Sequence, residues 1–242
     1  MSFAGNNYTG NYLTISGDVL VPNPGTGNWT IQTWFKASDT TGWQGIWFLN
    51  NQYALQVNTS TGIEFYYGSS QRVIVSSFST GVWYCMTVTK TGTTSARAFL
   101  NGTQVGAEIT TGLSSQNTGS PGFGAWDPVN APSDYVRGSI GPTKIWSAQL
   151  APNEVMREYI SLAPVRSQDL LAFYPFLSGG SSERIKNYQG TNGNLTQTGT
   201  SFTDDVQPPV GWGASPIFVP YAASVLSLST AQVGSTIELT WS

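Results

Sequence analysis

The chain has 242 residues, of which 10% are charged, with a net charge of -3, a single cysteine and no histidine. There is no basic stripe to neutralise phosphates, which excludes nucleic acid as a partner, and one cysteine cannot build an internal disulfide framework. The absence of histidine removes the commonest metal ligand, general base and physiological pH switch together.

No apolar run is long enough to cross a bilayer, and residues 1–10 have neither the basic start nor the apolar core of a cleavable signal. The expectation is a protein made in a cytoplasm, with no membrane partner. In chain order, residues 12–16 alternate as a first strand, and Pro22, Pro24 and Gly25 break it. Residues 29–36 follow, with Trp29, Ile31, Thr33 and Phe35 on an inner face and Thr30, Gln32, Trp34 and Lys36 facing away, which predicts a half-buried strand. Residues 43–49, 53–57, 62–67 and 72–76 are short strands separated by Asn, Ser and Gly turns, the pattern of a sandwich or barrel.

The clearest stretch is 81–106. Strands 83–90 and 95–101 are joined through Thr91, Gly92, Thr93 and Thr94, and Asn101-Gly102 opens a second hairpin into 103–109. An Asn-Gly pair suits a type I′ turn, whose two central residues both need positive φ. Alternation sets Tyr84, Met86 and Val88 against Cys85, Thr87 and Thr89, and sets Ala96, Ala98 and Leu100 against Arg97 and Phe99. Strand character returns at 122–126 and 135–146. A helix is predicted over 152–161, with Pro152 at its first position, Glu154 at the positive end of the dipole and an apolar stripe of Val155, Met156, Tyr159 and Ile160. Residues 170–176 form the last strand of the body. The predicted core comprises Trp29, Ile31, Phe35, Met86, Val88, Leu100, Ile145 and Phe173.

Beyond Asp205 the composition shifts, and four prolines in 206–221 read as an extended linker. Residues 224–229 and 236–241 then alternate as two strands joined through Ala231, Gln232, Val233 and Gly234. Val225 lies on one face of the first strand, with Leu226 and Leu228 opposite, and Ile237, Leu239 and Trp241 form an apolar row in the second. An isolated hairpin is marginal in water, so these residues are the candidate assembly element.

Four pieces together resemble the laminin-G-like, concanavalin A-like jelly-roll family: Phe99-Leu100-Asn101-Gly102 after its Trp-led strand, NWTIQTWFK at 28–36, GSIGPTKIWSAQLAPNEVMREY at 138–159, and LLAFYPFLSGGSSERIKNYQGTNGN at 170–194. In the last piece Phe-Tyr-Pro replaces the family's usual aromatics, and Asn187 stands where an Asp is common. The resemblance covers residues 1–205 and implies an all-β fold: one antiparallel β-sandwich of concanavalin A-like jelly-roll type with one short helix, and residues 206–242 as a C-terminal extension.

The resemblance also frames the chemistry. Some relatives are glycosidases, which need two carboxylates facing a sugar, yet no strand carries acids spaced by two. Related domains often hold calcium with loop carboxylates; Asp127 and Asp134 are the candidate ligands, with turn capping as the alternative role. No other cofactor is expected. Glycan binding rests on aromatic rings with amides beside them, and Trp43, Trp126, Tyr135 and Asn130 are the candidates.

The expected function is a non-enzymatic structural protein, a bacteriophage virion component such as a capsid decoration or fibre protein displayed on the virion surface. Low charge, a surface rich in Gly, Thr, Ser and Asn, and the unusual tail point there, and laminin-G-like modules resemble parts of such proteins. Its partners would be other virion proteins or further copies of itself through the tail, and a host-surface glycan. A cell-surface, extracellular carbohydrate-binding lectin is the alternative, and a glycosidase the third reading.

Overall fold

A computed structural model describes residues 10–15, 25–50, 53–58, 60–68, 70–113, 121–128, 132–176, 181–190, 193–199, 202–203, 205–211, 228–233 and 236–241. The strands are β1 (Tyr12–Ile15), β2 (Trp29–Ala37), β3 (Trp43–Asn50), β4 (Tyr53–Asn58), β5 (Gly62–Tyr67), β6 (Ser70–Val75), β7 (Tyr84–Thr91), β8 (Ser95–Leu100), β9 (Thr103–Ile109), β10 (Gly122–Phe123), β11 (Gly138–Trp146), β12 (Leu170–Tyr174), β13 (Leu195–Thr198), β14 (Leu228–Val233) and β15 (Thr236–Trp241); the helices are α1 (Pro152–Tyr159) and α2 (Ser181–Arg184).

Two antiparallel sheets face each other: a seven-stranded sheet in the order β13-β1-β10-β3-β4-β5-β6 and a six-stranded sheet in the order β12-β11-β2-β7-β8-β9. This is the expected jelly-roll sandwich. The meander folds as predicted, with Asn101 at φ 50° and Gly102 at φ 79°, and Met86 lies opposite Leu100. The inner faces form one core, in which Trp29, Ile31, Phe35, Met86, Val88 and Ile145 are at most 1% exposed. Two core expectations shift. Leu100 is only half-buried at the rim, and Phe173 is buried outside this core, with Phe99, Trp146, Leu150 and Val155.

Phe173 moves because the six-stranded sheet carries a third layer, which also overturns the half-buried reading of β2. The segment following β11, helix α1 and residues 205–211 cover the sheet's outer face. Thr30 Oγ1 donates to Ala148 O at 2.8 Å and accepts from Leu150 N, Trp34 stacks on Tyr159 with ring centroids 5.5 Å apart, and Lys36 pairs with Asp205 at 2.8 Å. Leu162 N donates to Gly211 O at 2.9 Å, so the opening of the proline-rich stretch packs on the sandwich. Beneath α1 lies a fully buried ion pair. Lys144 Nζ donates to Glu158 Oε2 at 2.8 Å and to the carbonyls of Glu158 and Ser161, while the Glu158 carboxylate accepts from the Val165 and Arg166 amides. The helix ends at Tyr159, and Ala151, which offers no side-chain cap, is served by Glu154 Oε2, which accepts from the Ala151 amide at 2.8 Å.

The stretch 170–194, read as strand and loop, also holds α2, and β13 follows it as an edge strand. The strand expected over 122–126 ends at Phe123, and the one expected from 135 begins at Gly138. In the tail, the first hairpin strand lies later than predicted, at Leu228–Val233, so Ala231, Gln232 and Val233 belong to β14 rather than to the turn. Leu228 faces Trp241 in register, while Val225 and Leu226 lie outside the described residues.

Candidate functional site: a flap over the seven-stranded sheet

The inner faces of β4 and β5 are Tyr53, Leu55 and Val57 and Ile63, Phe65 and Tyr67, all in the core. Alternation therefore turns Ala54, Gln56 and Asn58, with Glu64 and Tyr66, to the sheet's outer face. Register arranges these in rows: Phe48 beside Ala54 beside Tyr66, Gly45 beside Gln56 beside Glu64, and Trp43 beside Asn58 beside Gly62.

Residues 124–128 and 132–137, between β10 and β11, fold over this face as a flap. The flap is stitched to β3 by Gly124 N to Ile46 O at 3.1 Å and Gly45 N to Asp134 O at 2.7 Å, and it is closed on itself by reciprocal bonds between Trp126 and Ser133 of 2.8 and 3.1 Å. Gly45 makes the approach possible, since a Cβ there would lie 2.6 Å from the Ala125 carbonyl carbon and the Trp126 nitrogen. At the far end the Arg137 amide donates to Gln44 Oε1 at 2.8 Å, Gln44 Nε2 donates to Asp39 O, and the Arg137 guanidinium approaches Asp39 at 3.7 Å. Hydrogen bonds from the Thr41 amide and side chain hold the Asp39 carboxyl below the ordinary aspartate range, with Arg137 adding to them, so it is ionised at neutral pH.

Across the row of Phe48, Ala54 and Tyr66 sits Trp126. Its half-exposed ring meets Phe48 edge-on at 5.2 Å and Tyr66 edge-on at 5.1 Å. One row along, Gln56 Nε2 donates to Glu64 Oε2 at 3.0 Å. Glu64 is 0% exposed, and its Oε1 has no hydrogen-bond partner among the described residues. An unsatisfied buried oxygen costs about 1–3 kcal/mol.

The candidate residues divide. Trp126, Asp127, Asp134 and Tyr135 all lie on the flap, and Trp43 opens the strand beneath it; Asn130 lies outside the described residues. Tyr135, also half-exposed, packs its ring 6.3 Å from Tyr12 and donates to Pro132 O at 3.0 Å. Burial, and secondarily Tyr12, push its hydroxyl above the ordinary tyrosine range, so it stays protonated as a donor. Asp127 and Asp134 adopt left-handed φ of 40° and 47°, the backbone of turn residues, and Ser133 Oγ donates to Asp134 Oδ2 at 3.3 Å. Among the described residues no group of three or more His, Cys, Asp or Glu side chains is gathered as a metal site.

The sequence singles out neither Gln56 nor Glu64, which reads there as an isolated acid, and neither Phe48 nor Tyr12. The signal for the first two was present: a hairpin turning through Ser60 and Gly62 sets Gln56 opposite Glu64.

Residues 7–156 match the model of a family described as the concanavalin A-like lectin/glucanases superfamily, so the sequence match ends inside α1. No curated protein matches the chain. Among solved structures, a protein of Bacteroides ovatus assigned to carbohydrate binding superposes with a TM-score of 0.62 at 15% identity, over 84% of this chain and 61% of its own. The chain thus spans less than two thirds of that protein. A heptameric pentraxin of Limulus polyphemus gives 0.45 at 14% identity over 64% of this chain and 84% of its own. The CBM40 of a Ruminococcus gnavus sialidase, bound to α2,3-sialyllactose, gives 0.43 at 12% identity over 55% of this chain and 83% of its own. At such identities the likeness concerns the fold. With more than half of its length matched by the family, and with the two-sheet sandwich that family is built on, the chain belongs to the concanavalin A-like lectin/glucanase superfamily.

Proposed function

We propose that the chain is a non-enzymatic carbohydrate-binding module whose ligand lies on the outer face of the seven-stranded sheet, against Trp126. One observation carries this reading: a half-exposed Trp126 ring, fixed by Phe48 and Tyr66, one row from a buried amide and carboxylate with an unpaired oxygen. Sugars bind through the apolar face of an aromatic ring, which Trp126 presents, while the Gln56–Glu64 pair, 4% and 0% exposed, lies one row along beneath the surface. The Bacteroides ovatus protein of similar fold, assigned to carbohydrate binding, supports the ligand class.

A hydrolytic reading needs two carboxylates free to act across a glycosidic bond. Instead, Glu64 holds the Gln56 amide, and Glu108, Glu154, Glu158 and Asp205 are engaged with Arg97, Arg166, Lys144 and Lys36. The setting we favour remains the surface of a bacteriophage virion, supported by the low charge of the sequence and by its C-terminal hairpin; purified particles containing this chain would test it.

A glycan array with the wild-type protein and W126A tests the binding reading. We expect a defined set of hits, lost in a W126A protein whose circular dichroism is unchanged, because an aromatic anchor contributes about 2 kcal/mol or more, roughly thirtyfold in Kd. Undiminished hits with W126A, or none with the wild type, would overturn it.

A further inference from the structure

We propose that the free edge of the six-stranded sheet, strand β9, receives the C-terminal hairpin of a second copy of this chain. β9 is outermost in its sheet, pairs among the described residues only with β8, and is exposed along most of its length. Edge strands are ordinarily blunted by proline, bulges, inward charges or a covering element. β9 has no proline, and its one charge, Glu108, is tied to Arg97 at 3.1 Å and to Ser95; a bulge at Gly106, φ 70°, interrupts it, and Thr103, Gln104, Val105 and Ile109 stay in register with β8. Val105 and Ile109 turn inward toward a cleft of about 310 Å³ that opens between β9 and β6, with Phe65, Tyr67 and Ile74 among its walls. Among the described residues the sandwich is thus open along one side, with an unpaired backbone row beside a cleft of mixed lining, to which Glu108, Thr110 and Thr111 also contribute.

The chain carries the complementary piece. β14 and β15 form a two-stranded sheet of their own, and among the described residues no strand of the sandwich pairs with either. Such a hairpin is marginally stable alone. β15 carries Ile237, Leu239 and Trp241 at every second position, and its six residues suit the seven of β9. Strand addition would supply main-chain hydrogen bonds along the edge. Among the described residues of one chain, both the hairpin and the edge are left unpaired. Reciprocal exchange between two copies pairs both at once and closes with two-fold symmetry.

Two full-length variants and their mixture test this. Ala107 is an exposed residue of β9, so A107D charges the edge without touching the core; L239D charges the hairpin and leaves the sandwich untouched. Sedimentation velocity should show wild-type dimers, A107D alone as monomer and L239D alone as monomer. Mixed, the two should form a one-to-one dimer, because the intact hairpin of A107D meets the intact edge of L239D. A wild type monomeric at high concentration, L239D that still dimerises, or a mixture that stays monomeric would each overturn the proposal. If A107D does not fold, L239D alone still decides between these outcomes.

Discussion

Removing one partner of the buried ion pair under α1 should be among the most damaging single changes in the protein. Lys144 and Glu158 have side chains 0% and 1% exposed, and burial pulls the Lys144 ammonium below the ordinary lysine range while Glu158 opposes it. K144M replaces the ammonium with an apolar chain of similar length. It leaves the Glu158 carboxylate without a counter-charge and the carbonyls of Glu158 and Ser161 without their donor. Breaking a buried pair in this way costs roughly 3 to 5 kcal/mol. For a chain of this size that corresponds to a fall of roughly 6 to 20 °C in Tm, at about 2–4 °C per kcal/mol. The second variant, K144M/E158Q, should recover most of the loss, since Gln has no charge to strand yet still accepts from the Val165 and Arg166 amides. Thermal unfolding followed by circular dichroism at neutral pH measures both. A K144M cost under about 1 kcal/mol, or no recovery in the double variant, would show that the third layer is not anchored by this pair.

F35A, which empties a core position 0% exposed, should cost roughly 3 to 5 kcal/mol by chemical denaturation. Cys85, fully buried, has its thiol pushed up to about 12, so an aromatic disulfide reagent should label it only as the protein unfolds; native labelling at the rate of a free thiol would contradict the buried placement. That raised value also means stability is lost as pH climbs from the unfolded thiol's value near 8.5 toward 12, and C85A should remove that loss. At the acid end, Asp39 and Asp205 have lowered values, Asp205 because Lys36 and Ser139 outweigh its burial. Their contribution is present above the unfolded value near 4 and disappears as pH falls through the folded ones, so Tm should be level from about pH 6 to 7.5 and fall below about pH 4, less steeply in D205N.

The sandwich was legible because its signals are local. Asn101-Gly102 fixes a turn, and the turn fixes which of Met86 and Cys85 faces the core. Coverage from afar was not legible. Thr30, Trp34 and Lys36 read as solvent-facing because nothing within β2 announces that Ala148, Tyr159 and Asp205, more than a hundred residues later, will lie on them. The same holds at the site. Trp126 stood out as an aromatic in a loop, but its contacts with Phe48 and Tyr66 depend on a flap whose approach is licensed by Gly45, a residue with no sequence signal of its own. β13 escaped notice because four residues between Gly193 and Gly199 look like the loop around them. In the tail, Ala231, Gln232 and Val233 read as part of a turn, which displaces β14 by several positions.

The most direct test of the binding account is a heteronuclear NMR titration of the nitrogen-labelled protein with the oligosaccharide that scores highest on the array, following the nine tryptophan indoles. A sugar seated on Trp126 should shift the Trp126 indole first, together with the Gln56 side-chain amide beside Glu64. Shifts confined to β9 and the cleft residues Val105 and Ile109, with Trp126 and Gln56 unmoved, would contradict it.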